Sequence, residues 1–153
     1  RPDRLVVVVG TGTEVGKTWV TAALARELVA SGVRVAARKP AQSFAPEDPV
    51  DGRDAAILGA ATGEHADVVC PPHRSYEVPL APPMAAAALG RPPVVLADLL
   101  DELTWPEPCP VGFVETVGGV RSPISEDADG VGLIEALDPD LVLLVADAGM
   151  SHS

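Results

Sequence analysis

Cysteine, positive charge and long apolar runs are all scarce in this sequence. Its two cysteines, Cys70 and Cys109, make no disulfide framework, so a reduced, cytoplasmic compartment is expected, with both thiols as inert packing residues. The longest apolar runs, residues 5–9 and 141–146, fall far below the roughly 20 residues that cross a bilayer, so no membrane partner is expected. The first of them meets Gly, Thr, Glu and Lys at once, which does not suit a secretory leader. Eleven Lys and Arg face 22 Asp and Glu, for a formal net charge of −11 at pH 7. A surface that negative argues against nucleic acid and anionic lipid, although a local site can still bind a small anion. The three histidines, His65, His73 and His152, show no metal-ligand spacing and read as surface residues.

What remains is an ordinary globular composition, 47% hydrophobic and 22% charged over 153 residues. That is one domain's worth of chain, able to bury a core without staples. The chain opens on Arg1 and stops at Ser151, His152 and Ser153 directly after an apolar run and a glycine. A strand usually hands over to a helix there, so further C-terminal elements are expected.

Residues 5–9 are apolar throughout and four of the five are Val, the pattern of a strand buried on both faces. Residues 10–16 form a Gly/Thr-rich loop. A helix is predicted from Lys17, with Val20, Ala23, Leu24 and Leu28 at helical spacing and Gly32 at its C-cap. Residues 33–38 read as a second strand, completing a right-handed βαβ unit. Further along, helices are predicted over 53–61, 84–89, 94–103 and 131–137. Core strands are predicted over 111–115 and 141–147, each ending on an acid. Loops are predicted over 41–52 and 118–130, and an irregular stretch over 70–83, which holds five of the 16 prolines. Alternating strands and helices define an α/β class with a mostly parallel central sheet. Ligands bind such sheets at the carboxyl ends of the strands, where Lys39, Glu115 and Asp147 gather.

The loop Gly10-Thr11-Gly12-Thr13-Glu14-Val15-Gly16-Lys17-Thr18 between a buried strand and a helix is a phosphate-binding loop. Backbone N–H groups can wrap a phosphate, the helix directs its positive end at it, and Lys17 adds a full charge. The Thr18 hydroxyl is placed to ligate Mg²⁺. The usual first glycine would stand five positions before Gly16, where Thr11 lies; Gly10 is six before, so the loop is one residue longer. The expected architecture is therefore a single P-loop NTPase domain of three layers.

The longer loop resembles that of the dethiobiotin synthetase family, Gly-Thr-x-Thr-Glu-Val-Gly-Lys-Thr, with Gly12 at the variable position. Lys39-Pro40-Ala41-Gln42-Ser43 is similar to the family's segment after its second strand, and Asp54 stands at the family's magnesium aspartate. The stretch from Tyr76 to Ala86 is similar to an aromatic-x-x-Pro-x-[Ser/Ala]-Pro segment. Glu115-Thr116-Val117-Gly118-Gly119 stands in for Glu-Gly-Ala-Gly-Gly, and Asp147-Ala148-Gly149 matches the start of a later loop. The resemblance implies a homodimeric ligase that joins CO₂ to the diamino acid 7,8-diaminopelargonate with ATP and Mg²⁺, through a carbamate and a mixed anhydride with phosphate. It implies Lys17 and Lys39 as the cationic clamp on the phosphoryl group, and Thr18, Asp54 and Glu115 as oxygen ligands for Mg²⁺. Thr13, Glu14, Val15, Gly16, Thr116, Val117 and Gly118 would contact nucleotide beside these, and Thr13 and Ser43 would contact substrate.

Two positions depart from the family. Thr116-Val117 replaces Gly-Ala, and Phe44 follows Ser43 where the family has Gly. Both leave open a related P-loop ATPase with another substrate, such as the synthetase half of a cobyrinate-type amidotransferase, or a regulatory relative without turnover. A partition-type nucleotide switch would carry a lysine five residues before Lys17; Gly12 stands there instead.

Overall fold

The computed structural model describes residues 1–148. In chain order its elements begin with strand β1 (Arg4–Gly10), helix α1 (Lys17–Ala30), β2 (Val35–Arg38), β3 (Gln42–Ser43), α2 (Asp54–Thr62) and α3 (Ala66–Val69). They continue with β4 (Ser75–Tyr76), α4 (Pro82–Ala88), α5 (Leu96–Asp101), β5 (Val111–Gly119), β6 (Pro123–Ser125), β7 (Ala128–Asp129), α6 (Gly130–Leu137) and β8 (Leu141–Val145). The main sheet runs β2-β5-β1-β8 with every neighbouring pair parallel. Among the described residues no helix is long and apolar enough to cross a membrane.

Strand β1 shows why an all-apolar run makes a central strand. Leu5, Val7 and Val9 pack into one core with Val114, Leu99, Leu133 and Leu137. Val6 and Val8 pack into the other with Ala22, Ala25, Val35, Leu58 and Phe113. Side chains alternate across a strand, so a strand covered on both faces needs an apolar residue at every position. The result is the expected three-layer α/β arrangement with a parallel central sheet, the fold of a P-loop NTPase.

Several expectations are corrected in detail. Helix α1 buries Thr21, Ala22 and Ala25, while Leu24 is 39% exposed, so of the apolar set Val20, Ala23, Leu24 and Leu28 only Leu28 packs against the core beneath the helix. Small side chains let the helix sit close to the strands and to α2. Strand β2 starts at Val35, because Gly32, with φ of 87°, and Val33 turn back onto the end of α1, where the Val33 N–H donates to Leu28 O. The helix predicted over 94–103 is trimmed to α5, whose first amide, Leu96 N–H, donates to the Asp127 carboxylate at 2.9 Å. The proline-rich stretch holds β4 and a 3₁₀ turn over Pro72–Arg74, and the long polar loop over 118–130 holds the β6–β7 hairpin. Helix α6 is capped by the Asp129 carboxylate, which accepts from Gly132 N–H.

The largest correction is β8. Predicted as a core strand, it pairs with β1 alone and lies at the sheet edge, with Leu141, Val142 and Leu144 exposed by 51%, 41% and 61%. Its apolar run matches a strand covered on both sides, and among the described residues nothing covers its outer edge. Asp147 follows β8 at the carboxyl edge of the sheet; Gly149 and His152 lie outside the described residues.

Leu58 on α2 is fully buried in the second core. Leu58→Ala in the full-length protein is expected to lower unfolding free energy by about 2–5 kcal/mol, the cost of lost transfer energy plus a cavity. Urea denaturation of the two proteins measures it.

Candidate functional site

The phosphate-binding loop is shaped by two kinds of backbone constraint. Glu14 and Gly16 have φ of 58° and 103° while Val15 between them is not in the positive-φ region, and such alternation turns successive amides toward a common concavity. Gly10 is needed for a different reason. A Cβ there would meet Val15 Cγ2 at 2.7 Å and the Lys17 stem at 3.0 Å, so only a glycine lets the lysine pass over the strand end. The Lys17 ammonium then donates to Gly12 O and Gly118 O, each at 3.0 Å, which ties the loop to the end of β5. Burial, and then repulsion from Lys39, hold its pKa below the ordinary lysine value.

Lys39 is the electrostatic centre. It is 2% exposed, which excludes a solvated lysine at a strand end. Its ammonium lies 2.6 Å from Glu115 Oε2 and 2.9 Å from Asp54 Oδ2, and it donates to Thr116 O at 3.1 Å. Burial alone would depress its pKa, but the two carboxylates outweigh that and hold it well above the usual lysine range. Burial likewise works against the charge on Asp54, and the Lys39 charge, its hydrogen bond and one from Thr18 overcome it, leaving the carboxyl below the usual range. The Thr18 hydroxyl oxygen lies 2.7 Å from Glu115 Oε2 as well, so its one O–H serves either acid.

Strand β5 does not end at Glu115 as predicted but continues to Gly119. Its pairing with β1 jumps from Val8–Glu115 to Gly10–Gly119, so residues 116–118 form a bulge against the phosphate loop, a common device beside functional sites. The Thr116 side chain is buried and donates to Val8 O at 3.3 Å. The bulk that replaces the family's glycine therefore points into the core.

Thr13, Glu14, Gly16, Lys17, Thr18, Lys39, Ser43, Asp54, Val117 and Gly118 line one cavity of about 540 Å³. Glu115 and Thr116 are buried beside it, and Val15 does not line it, its side chain lying instead over Gly10. Ser43 is placed by the parallel β3–β4 pair, and its Oγ is buried with no hydrogen-bond partner. Trp19, Phe44, Asp48 and Arg53 also line the cavity without having been predicted as site residues. Arg53 stands directly before Asp54, and that adjacency was the one signal for it.

Hard oxygens suited to Mg²⁺ are present. Among the described residues no group of three His, Cys, Asp or Glu converges as a metal cluster, but two carboxylates and the Thr18 hydroxyl do meet, a set in keeping with a cation that retains water. Glu115 Oε1 is buried without any hydrogen bond. Lys39 and, at longer range, Lys17 offset the two carboxylates, so it is the orphaned oxygen that fits a cation there. The remaining titratable candidates are inert. Cys70 and Cys109 are buried, and burial pushes the Cys70 thiol up to about 11. His65 and His73 are exposed.

A buried phosphate-loop lysine beside a second lysine held by two acids defines a P-loop nucleotide-binding protein. The sequence profile of the AAA domain family matches residues 4–151, and the chain belongs to that family. It is similar to proteins named ATP-dependent dethiobiotin synthetase BioD. The one from Methylobacterium nodulans is 40% identical, over 90% of this chain and 65% of the relative. Those from Caulobacter sp. strain K31 and Streptomyces coelicolor are 39% and 38% identical, over 91% and 95% of this chain and 61% and 60% of theirs. The chain thus spans about three fifths to two thirds of the length of these relatives.

Two stability experiments follow from the charge cluster. Glu115→Ala leaves a buried ammonium short of a partner and is expected to cost about 3–5 kcal/mol. The isosteric Glu115→Gln keeps an acceptor for Lys39 and is expected to cost roughly 1–2 kcal/mol; chemical denaturation separates them. The second concerns acid. Because the folded Asp54 carboxyl titrates below its ordinary 3.8, its contribution is complete above that value and is lost as pH falls through the lower folded value. Asp54→Asn should flatten that part of the acid-unfolding curve, read by circular dichroism.

Proposed function

We propose that the protein is an ATP- and Mg²⁺-dependent ligase of the dethiobiotin synthetase type, closing the cyclic urea of dethiobiotin from 7,8-diaminopelargonate and CO₂. The observation that carries this reading is Lys39, a buried ammonium gripped by Glu115 and Asp54 at the wall of the phosphate-loop cavity. The names of the relatives support the same reaction. A binding protein has no need to hold a second full positive charge at that cost; a reaction that crowds carbamate and phosphoryl oxygens together does.

In this mechanism a substrate amine takes up CO₂ as a carbamate and releases a proton. A carbamate oxygen attacks the γ-phosphorus of ATP and ADP leaves. The second amine attacks the carbamoyl carbon, expelling phosphate and closing the ring. Lys17 and the amides of residues 13–18 bind the phosphates, with Val117 and Gly118 beside the loop, where Gly118 O accepts from Lys17. Lys39 stabilises the anion that passes between carbamate and phosphate. Thr13 and the unpartnered Ser43 hydroxyl orient the carbamate or amine. Thr18, Asp54 and Glu115 would hold Mg²⁺, which when bound supplies further neutralisation of phosphate charge. The same family reading carries a homodimer and a cytoplasmic location.

The contrast between the two lysines tests the proposal. In the full-length protein, Lys17→Ala is expected to abolish both MgATP binding and turnover, because its charge meets phosphate in the ground state. Lys39→Ala is expected to lower kcat by about two to three orders of magnitude with MgATP affinity nearly unchanged. Steady-state turnover with diaminopelargonate and bicarbonate, beside equilibrium MgATP binding, reads both. Lost nucleotide affinity with intact kcat in Lys39→Ala would overturn the role given to Lys39.

A further inference from the structure

The cavity has a third cation that the phosphate and metal machinery does not use. Arg53 precedes α2 and its guanidinium lies 3.8 Å from the centre of the Phe44 ring. Stacking occupies the flat face of a guanidinium and leaves its in-plane N–H donors free. Here the Nε is buried and has no hydrogen-bond partner, and among the described residues Arg53 forms no ion pair within 4.0 Å. Of the acids near it in sequence, Asp54 pairs with Lys39, Asp48 accepts from the Ala45 amide, and Asp51 is exposed outside the cavity lining. A second buried unpartnered group, the Ser43 hydroxyl, lines the same cavity. Phe44 itself is 8% exposed, so the ring is a fixed platform.

Position decides what Arg53 awaits. The phosphate loop, with Lys17, lines one part of the cavity, and Ser43, Phe44 and Arg53 line another. On the functional reading above, a donor in this second part faces the co-substrate. A guanidinium fork matches a planar two-oxygen anion in bidentate fashion. We propose that Arg53, set by Phe44, is a specificity-determining residue that receives a carboxylate-type anion of the small-molecule co-substrate, either its own carboxylate or the carbamate made from its amine. This deepens the functional reading above and rests on its placing of the co-substrate in this cavity. It also gives the Phe44 departure a purpose, since a glycine there could not hold the guanidinium.

The test uses the full-length protein and its Arg53→Met and Arg53→Lys variants. Calorimetric titrations compare diaminopelargonate, and separately 8-aminooctanoate, with their methyl esters, each with and without bicarbonate. If Arg53 meets a carboxylate, the wild type prefers acid over ester by about tenfold or more, and Arg53→Met closes the gap. If it meets a carbamate, bicarbonate tightens binding of acid and ester alike, and Arg53→Met removes that gain. Arg53→Lys retains part of either effect, and MgATP affinity stays unchanged throughout. The inference is overturned if no probe shows either preference, if the preference survives in Arg53→Met, or if the variant loses MgATP affinity instead. Turnover of diaminopelargonate by the wild type judges the substrate identity separately. An Arg53-dependent preference without that turnover would sustain the anion site and sink the substrate.

Discussion

The Lys39 ammonium between Glu115 and Asp54 organises this molecule. Three charges from three distant parts of the chain meet here, Lys39 and Glu115 buried and Asp54 reaching solvent. Taking such charges out of water is costly, and the two carboxylates offset that cost for the buried Lys39 ammonium. Lys39 at the end of β2, Glu115 within β5 and Asp54 opening α2 must therefore be held together by the fold. The parallel pairing of β2 with β5 supplies that register directly.

Around this centre the loops are fastened by small, specific contacts. Lys17 bridges the phosphate loop to the β5 bulge through two carbonyls. Gln42 accepts from the Ala55 amide and donates to Ser75, linking the β3–β4 pair to the start of α2. These bonds present Ser43 and Arg53 in one part of the cavity while Lys17 and the phosphate loop line another. The cavity so framed carries cations both at the phosphate loop and beside Ser43, although the protein as a whole is strongly acidic. Local arrangement overrides the global field at this range.

Much of the site was legible because phosphate binding imposes a local code. Gly16, Lys17 and Thr18 must follow one another at the start of a helix, and residues 5–9 must be apolar at every position to lie under it. Lys39 and Glu115 were singled out as polar residues at the carboxyl ends of predicted strands, and Asp54 through resemblance to a family. Arg53 was missed because an arginine before a helix is unremarkable until a ring 3.8 Å away and an unpartnered Nε give it a direction. The buried face of α1 was misjudged for a related reason: periodicity ranks residues by hydrophobicity, whereas close packing against the sheet selected Thr21, Ala22 and Ala25 for size.

The α/β alternation, the parallel sheet and the phosphate loop were already settled along the chain, since each depends on neighbours within one element or one turn. Which strands lie side by side, and which lie at an edge, was not. The runs at 5–9 and 141–145 are almost equally apolar, yet the first is central and the second has its outer edge uncovered, because burial is a property of what packs against a strand. The pairing of Lys39 with both acids likewise depended on the third dimension. Coulombic attraction acts over a few ångströms of space, and only the folded chain brings residues 39, 54 and 115 within that distance.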